Sequence, residues 1–477
     1  MTTFPTADAP TTEPGIQPGP PENKKEESKA NKPLDILFLQ DATGSQGPYI
    51  TSARTAIQEI CTKISSSASL SKGALRFGLI AFRDHPPQDN TFVTKNFGFT
   101  DDVGVMKKSL DSLTATGGGD GPEASTAALA EALNTEWKDD AVKIVVLITD
   151  APPHGIGEGG DGFRDGSPDQ NDPLDIARQM AQRGITLYVI ACEPALSRYL
   201  HAVDFYRALC QITSGRMVPL LNASQLGDYI VGSAVETLET EALIGEFQQV
   251  ILDDVYGQGK PIEEVMQSVQ QQMEQRNVQI NTLNVEDIYV PSVEADFNTN
   301  VWASAGSVKT ARAKTQVQQQ PRLKSSFAGA PSAPIGSWGS YGASGEGAAP
   351  PTGASSLFSI RSRAKKSAHS PAPRTGLAMA PAPGAPPPPP APASAFGAYA
   401  SASVPQPTMQ QQQQVQMQQQ KVDHSQTKRV VMQSLMRNAV VGAGGVLTPT
   451  GEYAGKAQVQ VQPGAPAPPE ASGSDAV

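Results

Sequence analysis

Three cysteines, Cys61, Cys192 and Cys210, are too few and too unevenly spaced for a disulfide framework or a zinc site, so a reducing compartment is expected. Aromatic residues are scarce at 6% and hydrophobic ones reach only 38%, against 41 Pro and 43 Gly; much of the chain therefore lacks the material for a core. One folded domain with long disordered arms is expected. No apolar run approaches the roughly 18 to 20 residues of a membrane span, and the first residues lack a basic region followed by an apolar stretch, so the chain is expected to be cytoplasmic and soluble. There is no G-x-x-x-x-G-K-[ST], which removes the glycines at 117–119 from consideration as a phosphate loop, and the histidines have no ligand spacing. Basic charge is outnumbered in the first part. Of 37 Lys+Arg and 47 Asp+Glu, 15 and 5 lie from Ser304 onward, leaving 22 against 42 before it: a head of −20 and a tail of +10. An acidic head does not suit nucleic acid, whose phosphates need a basic face.

What is present begins with Asp35–Gln40, a short apolar run closed by Asp41, Thr43 and Ser45. An apolar stretch without polar alternation suits a parallel strand covered on both faces, and ligands of such sheets bind beyond the strands' carboxyl ends. A two-residue period places one carboxylate and two hydroxyls on one side, oxygen chemistry that a hard divalent cation accepts. The same residues also read as helix-start punctuation, so the rest of the chain must supply further oxygens. Val142–Asp150 repeats the pattern, with Thr149 and Asp150 at its end. Between them, Gly117-Gly-Gly-Asp-Gly-Pro-Glu123 requires a backbone that comes close to something, and Pro122 suits the first turn of a following helix.

Strands are expected at Leu75–Phe82, Thr91–Thr94, Ile185–Ala191 and Met217–Leu220. Helices are expected at Tyr49–Ile64, Val103–Leu113, Ala124–Leu133, Pro173–Arg183, Leu196–Gln211 and Gln225–Leu238. This alternation is that of an α/β, doubly wound, mostly parallel Rossmann-like sheet flanked by helices. The expected organisation is a disordered leader at 1–32, the sheet domain at 33–240, a helical extension at 241–303 and a disordered Pro/Ala/Gly/Gln-rich basic tail at 304–477. In the extension, Ile244, Phe247, Val250, Ile251 and Val255 form one stripe and Ile262, Val265, Met266, Val269 and Met273 another; they dock on the sheet domain or pair with a partner helix. In the tail, Gly384–Pro392 favours polyproline II and so a polyproline-binding partner, Gln410–Gln420 is low complexity, and Thr427–Val441 reads as a basic amphipathic helix that forms on a partner.

With these motifs in order, Leu34–Leu238 resembles the von Willebrand factor A domain of intracellular type, whose metal-ion-dependent adhesion site combines a D-x-[ST]-x-S loop, a second-loop ligand and a T-D strand end. The resemblance implies metal roles for Asp41, Thr43, Ser45 and Asp150. Where many members place a Thr, the second loop here is similar to the D-x-P-E loop of integrin β subunits and to that of von Willebrand-type alpha-kinases. Glu123 is then the first choice of ligand and Asp120 the second, at an adjacent ion or through a water. The implied cofactor is Mg2+ or Mn2+, and the implied function is non-enzymatic: an intracellular scaffold or adaptor binding an acidic residue of a protein partner through the cation. The alternative is an accessory or divergent member of the alpha-kinase group acting in phosphorylation signalling. His85 and His154 fall in loops near the same sheet edge, where they read either as groups supporting the ligands from behind or, as most loop histidines do, as solvated bystanders.

Overall fold

The computed structural model describes residues 32–65, 75–328 and 413–461. In chain order the first elements are β1 (Leu34–Asp41), α1 (Gly47–Ser65), β2 (Leu75–Phe82), β3 (Thr94–Thr100), α2 (Val103–Asp111), α3 (Ser125–Asn134), β4 (Val142–Thr149), α4 (Pro173–Gln182), β5 (Ile185–Cys192), α5 (Ala202–Ile212), β6 (Arg216–Leu220) and α6 (Leu226–Leu252). The sheet order is β3-β2-β1-β4-β5-β6, with every pair parallel except β2 with β3. The expected doubly wound sheet is therefore present. The continuous apolar runs are explained by burial on both faces: Leu37, Leu39, Val145 and Leu147 pack under α3, α4 and α5, whereas Ile36, Phe38, Ile144 and Val146 pack under α1, α2 and α6. The chain leaves β1 toward β2 and returns on its other side at β4. This is the switch point at which a crevice opens beyond the strand ends.

Several expectations need correction. Strand β3 starts at Thr94 because Asp89 Oδ1 accepts both the amide and the hydroxyl of Thr91, at 2.7 and 2.5 Å, and holds residues 89–91 in a turn. Helix α3 starts at Ser125, leaving Pro122 outside it, because the Glu123 amide donates to the Pro152 carbonyl at 2.9 Å in a strand-like bridge. A helix spanning Leu196–Gln211 is interrupted: Glu158 accepts the amides of Leu200 and His201, at 2.9 and 2.7 Å, and α5 begins only at Ala202.

The boundary at residue 240 does not exist. With no proline to break it, α6 runs for 27 residues across that position. It is followed by a π turn at Asp253–Gly257, α7 (Ile262–Gln275), β7 (Gln279–Val285), α8 (Val293–Ser304) and α9 (Val308–Arg312). Nor is the region from 304 onward a uniformly disordered tail. Residues 413–461 contain β8 (Val415–Lys421), α10 (His424–Met436), β9 (Ala439–Val441), β10 (Val446–Pro449) and β11 (Val459–Gln460). β8 pairs with β7 along its whole length. The polyproline run and the leader up to residue 31 lie outside the described residues.

Both stripes of the extension find an occupant within the chain, except at Val250, which is exposed. Ile244, Phe247, Ile251, Val265, Val269 and Met273 pack against Val430, Val431, Leu435 and Met436 of α10 in a third core. Val430, Val431 and Leu435 are fully buried, worth about 1.5–3 kcal/mol each. Two basic side chains of this segment are absorbed too: Arg429 of α10 meets Glu236 at 2.6 Å, and Arg437, which caps the helix, meets Glu241 at 2.8 Å. The extension also joins the first core through the buried Trp302, Leu323 and Phe327. Among the described residues no helix is long and apolar enough to cross a membrane.

Candidate metal centre

The three loops at the switch point are fastened by backbone hydrogen bonds. The Thr116 amide donates to the Ala42 carbonyl at 3.2 Å and the Gly44 amide to the Gly117 carbonyl at 3.3 Å; Glu123 is tied to Pro152 as above. The first loop is set by Asp41, whose Oδ1 accepts the Thr43 amide at 2.9 Å and the Thr43 hydroxyl at 2.7 Å. Its Oδ2 accepts the Thr149 hydroxyl at 3.0 Å, and Ser45 Oγ donates to Asp150 Oδ1 at 3.0 Å. Hydroxyls of one loop thus bind carboxylates of another.

The glycine run is now intelligible. A Cβ on Gly118 would lie 2.7 Å from Glu123 Oε1 and 3.4 Å from the Thr43 Cβ, and one on Gly119 would lie 2.6 Å from the Gln88 carbonyl oxygen. Gly117 and Gly118 also take φ of 85° and 83°, open to glycine at little cost. The close approach expected of this loop is to the Glu123 carboxylate and the first loop.

The electrostatics are those of acids crowded without a counter-charge. Burial, and then the Asp150 carboxylate, push Asp41 up to about 7 from 3.8. Burial pushes Glu123 to about 11, helped by Asp41, Asp84, Asp120 and Asp150. Among the described residues no Lys, Arg or His forms an ion pair with Asp41, Glu123 or Asp150, and Glu123 Oε2 is buried without a hydrogen-bond partner. The donors are all oxygen, carboxylates with two hydroxyls, a set that fits Mg2+ or Mn2+.

Asp120 is directed elsewhere. Its Oδ2 accepts the Gly162 amide at 2.6 Å, and it shares a second cluster with Asp84 and His154, whose nearest donor atoms all lie within 4.8 Å of one another. His154 is no solvated bystander: it is 2% exposed, with Nε2 2.7 Å from Asp84 Oδ1 and Nδ1 2.9 Å from Asp161 Oδ1. Burial opposes its charge, but the hydrogen bonds to Asp161 and Asp84 prevail and hold it at about 9, a protonated imidazolium at neutral pH. Burial pushes Asp120 up to about 6, relieved in part by the Gly162 amide. His85 is buried as well, with Nε2 3.2 Å from the Ser167 hydroxyl. The available signal for Asp84 was its place two residues past the carboxyl end of β2, on the same sheet edge as Asp41, which closes β1, and Asp150, which follows β4. Nothing local marked Asp161.

The family comparison matches the region that carries this geometry: residues 35–216 fit the von Willebrand factor type A domain. Relatives include the ariadne-like RING finger protein R811 of Acanthamoeba polyphaga mimivirus, 27% identical over 237 residues, 47% of this chain and 22% of that protein. The alpha-protein kinase vwkA of Dictyostelium discoideum is 30% identical over 129 residues, 27% of this chain and 20% of that protein. The chain thus spans about a fifth of the length of each. Among solved structures, the pilus adhesin SpaC of Lactobacillus rhamnosus GG in its open conformation aligns over 44% of this chain and 30% of its own, at 14% identity and a TM-score of 0.33. With the switch-point sheet, the three fastened loops and the family match in agreement, the chain contains a von Willebrand factor type A domain.

Proposed function

We propose that this chain is a metal-dependent protein-binding module in which Asp41, Thr43, Ser45, Glu123 and Asp150 hold a divalent cation and an acidic side chain of a partner completes its coordination. The observation that supports it most is the buried Glu123 carboxylate, gathered with Asp41 and Asp150 without any basic side chain. A cation in this place offsets both the burial and the mutual repulsion that push Asp41 and Glu123 upward. Two of the five ligands are neutral hydroxyls. The bound ion therefore keeps residual positive charge, and Mg2+ retains exchangeable positions when protein ligands are few. Asp120 acts beside this site, holding the Gly162 loop, and not as a direct ligand.

The test is capture of partners by the full chain in Mg2+ and in chelator, alongside Thr43→Ala, which removes one oxygen and leaves the turn. Binding lost in chelator and weakened in the variant supports the reading; binding unchanged in both would sink it. A role beside kinase chemistry has one support, the likeness to a protein named as an alpha-protein kinase. Phosphotransfer by the purified chain would favour that second reading.

A further inference from the structure

The ribbon formed by β7 and β8 has two very different edges. The Glu286 amide donates to the Gln414 carbonyl and the Val422 amide to the Val278 carbonyl, so with the observed register the even residues of both strands bond inward. The odd ones face outward. On β7 those outward groups are stoppered: the Asn281 amide donates to Glu239, the Leu283 amide to Glu236 Oε2 at 3.0 Å, and Arg216 Nη1 donates to the Leu283 carbonyl at 2.8 Å.

On β8 the corresponding groups of Val415, Met417 and Gln419 meet no partner among the described residues, and residues 416–419 are exposed. Open edges are normally guarded by charge, proline or a bulge. Gln413–Gln420 carries none of these; the first charge is Lys421. A two-stranded ribbon is also the least self-sufficient of sheets.

We propose that the β8 edge pairs antiparallel with β8 of a second copy of this chain, about a two-fold axis through Met417, to give a four-stranded sheet. The occupant is a second copy because the edge is self-complementary. In this register Met417 faces Met417, Val415 faces Gln419, Gln416 faces Gln418, and the two Lys421 side chains end at opposite ends, each beside an uncharged Gln413. A parallel arrangement would stack the lysines. Glutamine amides both donate and accept, so identical strands can ladder through side chains as well as backbone. The two-fold use of one edge on each copy, with both β7 edges stoppered, closes the assembly at two. The pairing is independent of the metal centre.

The experiment is the mass of the full chain by light scattering across a concentration series. A dimer that dissociates on dilution is expected. Met417→Pro removes an outward amide at the two-fold and leaves the inward bonds to β7; it should weaken association on the order of tenfold or more while the thermal transition and the Mg2+ response stay put. Because proline can disturb folding, a second pair of variants uses exposed side chains only. Gln416→Lys with Gln418→Lys, and Gln416→Glu with Gln418→Glu, should each be monomeric and should form the dimer when mixed. A monomer at every concentration, a dimer indifferent to all these changes, or open-ended fibres in place of dimers would overturn the proposal.

Discussion

Two acidic clusters sit side by side at the carboxyl edge of one sheet, and only one of them has a counter-charge among the described residues. Around Asp84 and Asp161 the protein supplies its own cation, the His154 imidazolium, held from both sides. Around Asp41, Glu123 and Asp150 the described residues supply none, and hydroxyls stand where a basic side chain would serve stability better. A fold that can place a buried cation at one cluster and omits it a few residues away is not short of means. The omission is what the proposed cation would make good, whereas the first cluster is the strut that holds the 151–170 loop through Asp161, Gly155 and Gly162.

The comparison breaks first at His154. His154→Leu leaves Asp84 and Asp161 buried without their partner and should cost about 3–5 kcal/mol, measured by denaturant unfolding. A loss below about 1 kcal/mol, within the range of an exposed pair, would show that the imidazolium is not the counter-charge. At the other cluster the signs reverse. Saturating Mg2+ at 100 times its dissociation constant should stabilise the native chain by about 2.7 kcal/mol, and Asp41→Ala should remove that gain. Glu123→Gln, which deletes a crowded acid, should leave metal-free stability unchanged or raised by about 1 kcal/mol while weakening Mg2+ binding. Melting curves with and without the ion separate the two effects.

Acidity sharpens the contrast. Asp41, raised to about 7, gives stability that is complete below its ordinary value of 3.8 and is lost as pH rises through 7. His154, raised to about 9, gives stability complete below 6.5 and lost as pH rises through 9. The metal-free chain should therefore melt lower at pH 9 than at pH 6. The Mg2+ increment should run the other way, shrinking as pH falls below 7 because protons compete for Asp41. An increment that grows on acidification would count against Asp41 as a ligand. The smallest effect is expected of Thr43→Ala: one oxygen fewer, about a tenfold loss in Mg2+ affinity by calorimetry, and little change in fold.

Strands β1, β4 and β5 were legible because each carries an apolar run, at 36–39, 144–148 and 187–192, that burial on both faces of a sheet satisfies. Asp41, Thr43, Ser45 and Asp150 followed, since strand ends fix their place. Glu123 was singled out only by the resemblance of its loop to a D-x-P-E loop; the glycines announced a close approach without naming its object. The His154 cluster was not, because its members are separated by up to 77 positions, from Asp84 to Asp161, and only the fold brings them together. The C-terminal elements were hidden for a different reason. Val415–Lys421 is mostly glutamine, with little intrinsic preference for a strand, and takes that form because β7 offers it a ladder. The amphipathic pattern of α10 was visible, but its partner lay nearly 200 residues upstream, at Glu236 and Glu241.

That long return changes what residues 329–412 are. They are spliced into the domain between Ala328 and Gln413 and do not hang from its end. A protease cutting once within them would sever the polypeptide without releasing a fragment: Val430, Val431 and Leu435 would stay wedged against α6 and α7, with Arg437 and Lys32, from opposite ends of the described chain, both clasping Glu241. Such a nicked molecule would travel as one particle in gel filtration and come apart only in denaturant, so its integrity as a binding module would outlast its integrity as a chain.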